Sequence, residues 1–179
     1  MKDFPFEDVN TLQTATIVSL KSRVNESVSL LRVKVKLSLF NEPPLTVTAL
    51  LDNGSTHSFI SPRVLSVSQL NIIKDPKLCS RENYIINGAT GSTQVSCSVS
   101  HAKIQLGPWS GTQRFIITGA VHKDDMILGL DFLKSNSAKI DHGSDSIEIG
   151  EHTLKELINQ SSLTWLNSLT RITTTGISS

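Results

Sequence analysis

Thr48-Ala49-Leu50-Leu51-Asp52-Asn53-Gly54-Ser55-Thr56-His57-Ser58-Phe59-Ile60-Ser61 is the stretch whose reading decides the fold. Leu45 to Leu51 is apolar and β-branched, and it runs straight into a polar, glycine-containing loop, so a buried strand ends abruptly at a carboxylate. Asp-Asn-Gly alone is also a good β-turn, and a loop carboxylate before glycine is the ordinary reading of that tripeptide. What lifts it above the ordinary is its setting. Ser58-Phe59-Ile60 reads as a second short strand, and Ser61-Pro62 as an N-cap followed by proline at the first helical position, with a helical turn through Val64 and Leu65.

Upstream, Leu31, Val33, Val35, Leu37 and Leu39 alternate with Arg32, Lys34, Lys36 and Ser38, the period-2 pattern of a half-buried strand. The basic row reads as a solvated face, because no aromatic residues interleave it. Asn41-Glu42-Pro43-Pro44 breaks that strand and implies a hairpin into Leu45–Leu51. Downstream, Tyr84-Ile85-Ile86, the glycine-rich Asn87-Gly88-Ala89-Thr90-Gly91-Ser92 and the alternating segment Gln94 to Ile104 predict a second hairpin with a flexible tip. Phe115-Ile116-Ile117 is a further strand. Met126-Ile127-Leu128-Gly129-Leu130 is an apolar run that turns at a glycine into a short helix over Asp131 to Lys134, and Ala138–Ile140 pairs with Ile147–Ile149 around His142 to Asp145. Short strands joined by turns predict an all-β barrel or sandwich rather than βαβ units, and no internal repeat is present.

Three segments result. Residues 1–27 form an N-terminal extension, apolar from Ala15 to Leu20, with room for a short strand; residues 28–150 form the domain. Residues 151–179 form a C-terminal helical segment and tail: Thr153-Leu154-Lys155-Glu156 matches a capping box, and Leu154, Leu157, Ile158, Trp165 and Leu169 approximate helical spacing before a disordered stretch from Thr173 to Ser179.

Composition excludes several classes of function. With 179 residues, 38% hydrophobic, and 17 basic against 16 acidic residues, the chain makes one ordinary domain whose field selects neither nucleic acid nor membrane. No apolar run nears the ~20 residues of a membrane span, and the acidic, proline-containing start is unlike a secretory signal, so a cytoplasmic location is expected. Cys79 and Cys97 suit a reducing compartment. His57, His101, His122, His142 and His152 lack metal-site spacing, so no metal and no other cofactor is expected; adjacent Asp124 and Asp125 read as solvated carboxylates. Ser55 with His57 lacks a nucleophile elbow, and no phosphate-binding loop occurs.

The segment from Thr48 to Ser61 resembles the active-site segment of retropepsin-type aspartic proteases, most closely those of gypsy-type LTR retrotransposons. Asp125 to Leu133, with its Ile127-Leu128-Gly129 core, is similar to that family's second signature, and the Asn87-Gly88 hairpin sits where its flap should. The resemblance covers roughly residues 30 to 150. It implies a closed retropepsin-like barrel with one short helix after the Ile-Leu-Gly element, and an aspartic endopeptidase acting on an extended polypeptide such as a Gag-Pol polyprotein. It implies Asp52 as the catalytic residue, within an active-site loop of Asn53, Gly54, Ser55 and Thr56. The flap and substrate-binding residues are then Asn87, Gly88, Ala89, Thr90 and Gly91, with Ile127, Leu128 and Gly129 as structural support. The chemistry needs two carboxylates sharing a proton and one chain carries one motif, so a symmetric homodimer is expected.

Asn53 departs from the family, which has Thr or Ser there to bond the partner chain's backbone. A weakened dimer is one consequence to expect. A second reading is a catalytically weak or inactive dimerisation or peptide-binding module on the same fold.

Overall fold

Alternation dictates most of the chain. The computed structural model describes residues 12–17, 29–88, 91–121, 123–155 and 157–161. In chain order the strands are β1 (Leu12–Thr16), β2 (Ser29–Ser38), β3 (Leu45–Leu51), β4 (Phe59–Ile60), β5 (Ser80–Gly88), β6 (Gly91–Leu106), β7 (Trp109–Ile117), β8 (Met126–Leu128), β9 (Lys139–Asp141), β10 (Ser146–Ile149), β11 (His152–Leu154) and β12 (Ile158–Ser161). Helix α1 (Val67–Lys74) follows a 3-10 turn at Pro62–Val64, and α2 (Leu130–Ser135) follows β8.

Nine strands form one sheet in the order β1-β5-β6-β7-β4-β8-β3-β2-β12, and β2 also pairs with β6 over Lys36 to Ser38. Strands β11-β10-β9 form a small second sheet. The β2–β3 register, Leu31 against Leu51 through Leu37 against Leu45, is set by the turn in which the Glu42 N–H donates to the Leu39 carbonyl at 3.2 Å. Phe40 and Asn41 both take positive φ there, the geometry that matches the strands' own twist.

Side chains on opposite faces of the strands fill two apolar clusters. Val47, Ala49 and Leu51 of β3 join one with Leu31, Val35, Phe115, Met126, Leu128 and Phe132. Leu50 joins the other, with Phe59, Tyr84, Ile86, Ile116 and Ile127. One strand thus belongs to both, and the loop after it is held from two sides.

The fold is mostly β, with the expected helix after the Ile-Leu-Gly element. A second helix, α1, was not expected. Its start is nonetheless written locally: Ser66 Oγ accepts from the Gln69 N–H at 3.1 Å while Gln69 Oε1 accepts from the Ser66 N–H at 2.9 Å. The C-terminal capping box fails. Where a helix was expected, His152–Leu154 is β11 and Ile158–Ser161 is β12, because non-local pairing outweighs the local signal: β12 takes the β2 edge from Ser29 to Arg32. Leu154 lies over Gly107, its Cδ2 2.3 Å from where a Cβ on Gly107 would stand, and both Leu154 and Leu157 pack on the larger cluster. Trp165, Leu169 and the stretch from Thr173 lie outside the described residues. The N-terminal segment supplies β1, an edge strand parallel to β5.

Candidate active site

Asp52 leaves the end of β3 at the point where β8 runs parallel beside it. Leu50 pairs with Ile127 and Leu51 with Leu128, and the Asp52 N–H continues the ladder to the Leu128 carbonyl at 3.0 Å. The carboxylate is buried, 3% exposed, and both its oxygens are engaged: Oδ1 accepts from the Gly54 N–H at 2.8 Å and Oδ2 from the Ser55 hydroxyl at 3.2 Å. Ser55 is fully buried, so its hydroxyl has little freedom to turn elsewhere. The loop therefore fixes the plane and position of one carboxylate. That is what a group working on a bound water requires, since proton transfer depends on hydrogen-bond reach.

The three support residues meet the loop directly. Ile127 and Leu128 are buried in the two clusters, and Gly129 passes so close that a Cβ would stand 2.1 Å from the His57 carbonyl oxygen and 2.8 Å from that of Ser55. Its φ is negative, so glycine is needed here for space rather than for conformation. Leu130 N–H donates to the Ser55 carbonyl at 2.7 Å. Gly54 shows no positive φ; its contribution is the N–H it offers Asp52.

Asn53 is exposed at the loop tip beside Leu130, Leu133 and Lys134 of α2, and its side chain makes no hydrogen bond to the described residues. Thr56 is tied elsewhere: its N–H donates to the Thr16 carbonyl at 3.0 Å, and its Oγ1 accepts from the Thr16 N–H at 2.9 Å and sits 2.7 Å from His57 Nδ1. Of the flap residues, Asn87 and Gly88 end β5 and pair with Ser92 and Gly91 at the start of β6. Gly91 has φ of +127°, a conformation glycine alone takes readily. Ala89 and Thr90 lie outside the described residues.

Charged partners separated widely in sequence were not expected. Arg32, read as solvated, is mostly covered, and its guanidinium meets Asp124 at 3.1 Å; Asp125 likewise pairs with Arg63 at 3.2 Å. Burial holds the Asp124 carboxyl above its usual range, against the pull of Arg32 and Arg63 and with a smaller push from the Asp52 charge. Asp131 joins the strands beneath the loop: it accepts from the Ser58 hydroxyl at 2.7 Å, the Ser58 N–H at 3.2 Å and Gln113 Nε2 at 3.1 Å. Ser58 Oγ in turn accepts from the Gly129 N–H at 3.0 Å.

His57 stands edge-on to Tyr84 of the flap strand, ring centroids 5.8 Å apart. Burial lowers its pKa below the usual value, opposed by Asp131 and Glu82 and aided by Arg114. Tyr84 donates to Glu82 Oε1 at 3.2 Å, and Arg114 and Gln13 also bond Glu82. Among the described residues no group of three or more His, Cys, Asp or Glu could hold a metal, and no helix is long and apolar enough to cross a membrane.

Comparison with known proteins adds a family to this geometry. Among solved structures the chain is similar to the retroviral protease-like domain of Ddi1 from Leishmania major, at 18% identity over 74% of this chain and 95% of that one, with a TM-score of 0.46. It is also similar to the protein Lpg0085 from Legionella pneumophila, at 17% identity over 57% and 83%, with a TM-score of 0.33. A search of curated protein sequences found no match. A family model described as retroviral aspartyl protease matches residues 17–155, a span that holds β3, the Asp52 loop, the flap hairpin and β8. The chain belongs to the retroviral aspartyl protease family.

Proposed function

We propose that the chain is an aspartic endopeptidase that works as a symmetric homodimer, one Asp52 from each subunit forming the catalytic pair. The observation that carries this reading is the buried, doubly hydrogen-bonded Asp52 at the end of β3. Two carboxylates brought to ~3 Å across a two-fold axis cannot both ionise, so they share one proton. The ionised partner takes a proton from water as that water attacks the scissile carbonyl; the protonated partner donates to the carbonyl oxygen, and the tetrahedral intermediate then collapses with proton transfer to the leaving amine. The β2–β6 pairing, which links the strand order back on itself, supports a closed barrel as the scaffold. The substrate is an extended polypeptide, a retroelement Gag-Pol polyprotein being the family's implied case, and the two buried free thiols suit the cytoplasm.

The test is cleavage of unfolded casein from pH 3.5 to 7 at high enzyme concentration, comparing the native chain with Asp52→Ala. Cleavage abolished by the substitution supports the reading. Equal cleavage by both chains, or none by any folded dimeric chain that keeps Asp52, overturns it. The exposed Asn53, with no hydroxyl to bond a partner backbone, favours the second reading, a weakly active or inactive dimerisation or peptide-binding module.

A further inference from the structure

The N-terminal strand does something the rest of the fold does not require. It bonds the flap strand on one edge and the active-site loop on the other. Along β5 it pairs in parallel from Leu12 against Asn83 to Thr16 against Asn87, and the Ile17 N–H donates to the Asn87 carbonyl at 2.7 Å. Across from that edge, Thr16 exchanges two hydrogen bonds with Thr56, four residues beyond Asp52. An extended peptide held beneath a flap needs the same kind of partner, an open strand edge with backbone N–H and C=O groups to spare. Here β6 takes one edge of β5 and β1 takes the other.

Two further observations separate β1 from the scaffold. The family match begins at Ile17, so Leu12–Thr16 lies outside the matched span. The strand also docks as a ligand does, through alternate side chains. Ala15 is fully buried and Ile17 is 8% exposed, both within the smaller cluster beside Tyr84, Ile86 and Ile127, whereas Leu12 and Thr14 face outward. Gln13 bonds Glu82, whose other oxygen is held by Arg114.

We propose that residues 12–17 are a built-in pseudo-substrate: a strand of the chain's own that occupies the peptide-binding edge between flap and active-site loop and holds the protein in a self-blocked state. The consequence for catalysis rests on the endopeptidase reading; the docking does not. The seat takes an extended polypeptide with a small residue at the position of Ala15 and a branched apolar one at that of Ile17. Because β1 is joined to β2 through residues 18–28, it competes at an effective concentration of roughly millimolar, and a free peptide of similar affinity is shut out. Activation follows from anything that draws the strand away.

Two single replacements test this in the full chain. Ile17→Pro removes the N–H that bonds Asn87, and Ala15→Asp sets an unpaired carboxylate in an apolar seat, so each drives β1 out. The probe is a fluorescein-labelled peptide with the sequence of residues 10–20, followed by anisotropy. Both variants are expected to bind it at least ~10-fold more tightly than the native chain, and not to bind a copy carrying the Ala15→Asp change. Cleavage of unfolded casein should rise by a similar factor in kcat/KM. Folded variants that bind the peptide no better than the native chain overturn the proposal, as do variants that cleave no faster where cleavage is measurable. Variants that fail to fold also overturn it, because β1 is then a structural strand. If no chain cleaves casein, the endopeptidase reading fails and peptide binding alone decides the docking.

Discussion

Gly129 is the residue where substitution has the least room for relief. A methyl group there meets the His57 backbone rather than a movable side chain, so Gly129→Ala must displace the loop that carries Asp52. A loss of about 1–3 kcal/mol is expected from overpacking, together with loss of cleavage. Gly119→Ala, where a Cβ meets nothing within 4 Å, should leave both unchanged. Equal urea midpoints for the two variants would contradict the close approach. His57 predicts a pH dependence. Its pKa is lowered in the folded protein, so as pH falls below its usual value of 6.5 the unfolded chain takes up the proton first and stability drops. Replacing it, as in His57→Gln, should flatten the fall in urea midpoint between pH 7.5 and 5.5; parallel profiles would show that another group titrates. At this scale Asp52 and Ile127–Gly129 were legible, because an apolar strand ending at a carboxylate and an apolar run ending at glycine are local patterns. Asp124 and Asp131 were not, since what defines them is a partner far along the chain: Arg32 lies 92 positions from Asp124, and Ser58 lies 73 from Asp131.

Helices and edge strands show the limit of local signals in both directions. The Ser66–Gln69 capping box sits on a real helix, and the Gln69 amide then donates to the Leu39 carbonyl at 3.2 Å, fastening α1 to the end of β2. Ser66→Ala should cost about 1 kcal/mol by leaving the first helical N–H groups without a cap, measured as a lower urea midpoint with an unchanged slope. No change in midpoint would mean that the cap is replaced by solvent. The Thr153–Glu156 box has the same form, yet Thr153 and Leu154 lie in β11. What differs is tertiary: an unpaired stretch of β2 and the space above Gly107 were available to the C-terminal residues, and neither can be read from residues 151–161 alone. Hairpins fared better than either, because their alternation and their turn residues are contained within a single segment.

At the scale of the whole molecule, the proposed pairing of two Asp52 loops makes activity depend on concentration. Asn53→Thr should restore a hydroxyl at each loop tip; at ~1 kcal/mol for each of two bonds the dimer dissociation constant falls roughly 30-fold. Sedimentation equilibrium measures this, and unchanged constants would remove Asn53 from the interface. The proposed symmetric dimer also bears on how the protein can be observed. Tyr84 is the chain's single tyrosine, and it stands on the flap strand against His57 of the active-site loop. Fluorine placed on that ring would report from under both flaps as one resonance while the two halves are equivalent. A bound peptide has a direction and the two-fold axis has none, so occupancy would split that resonance in two.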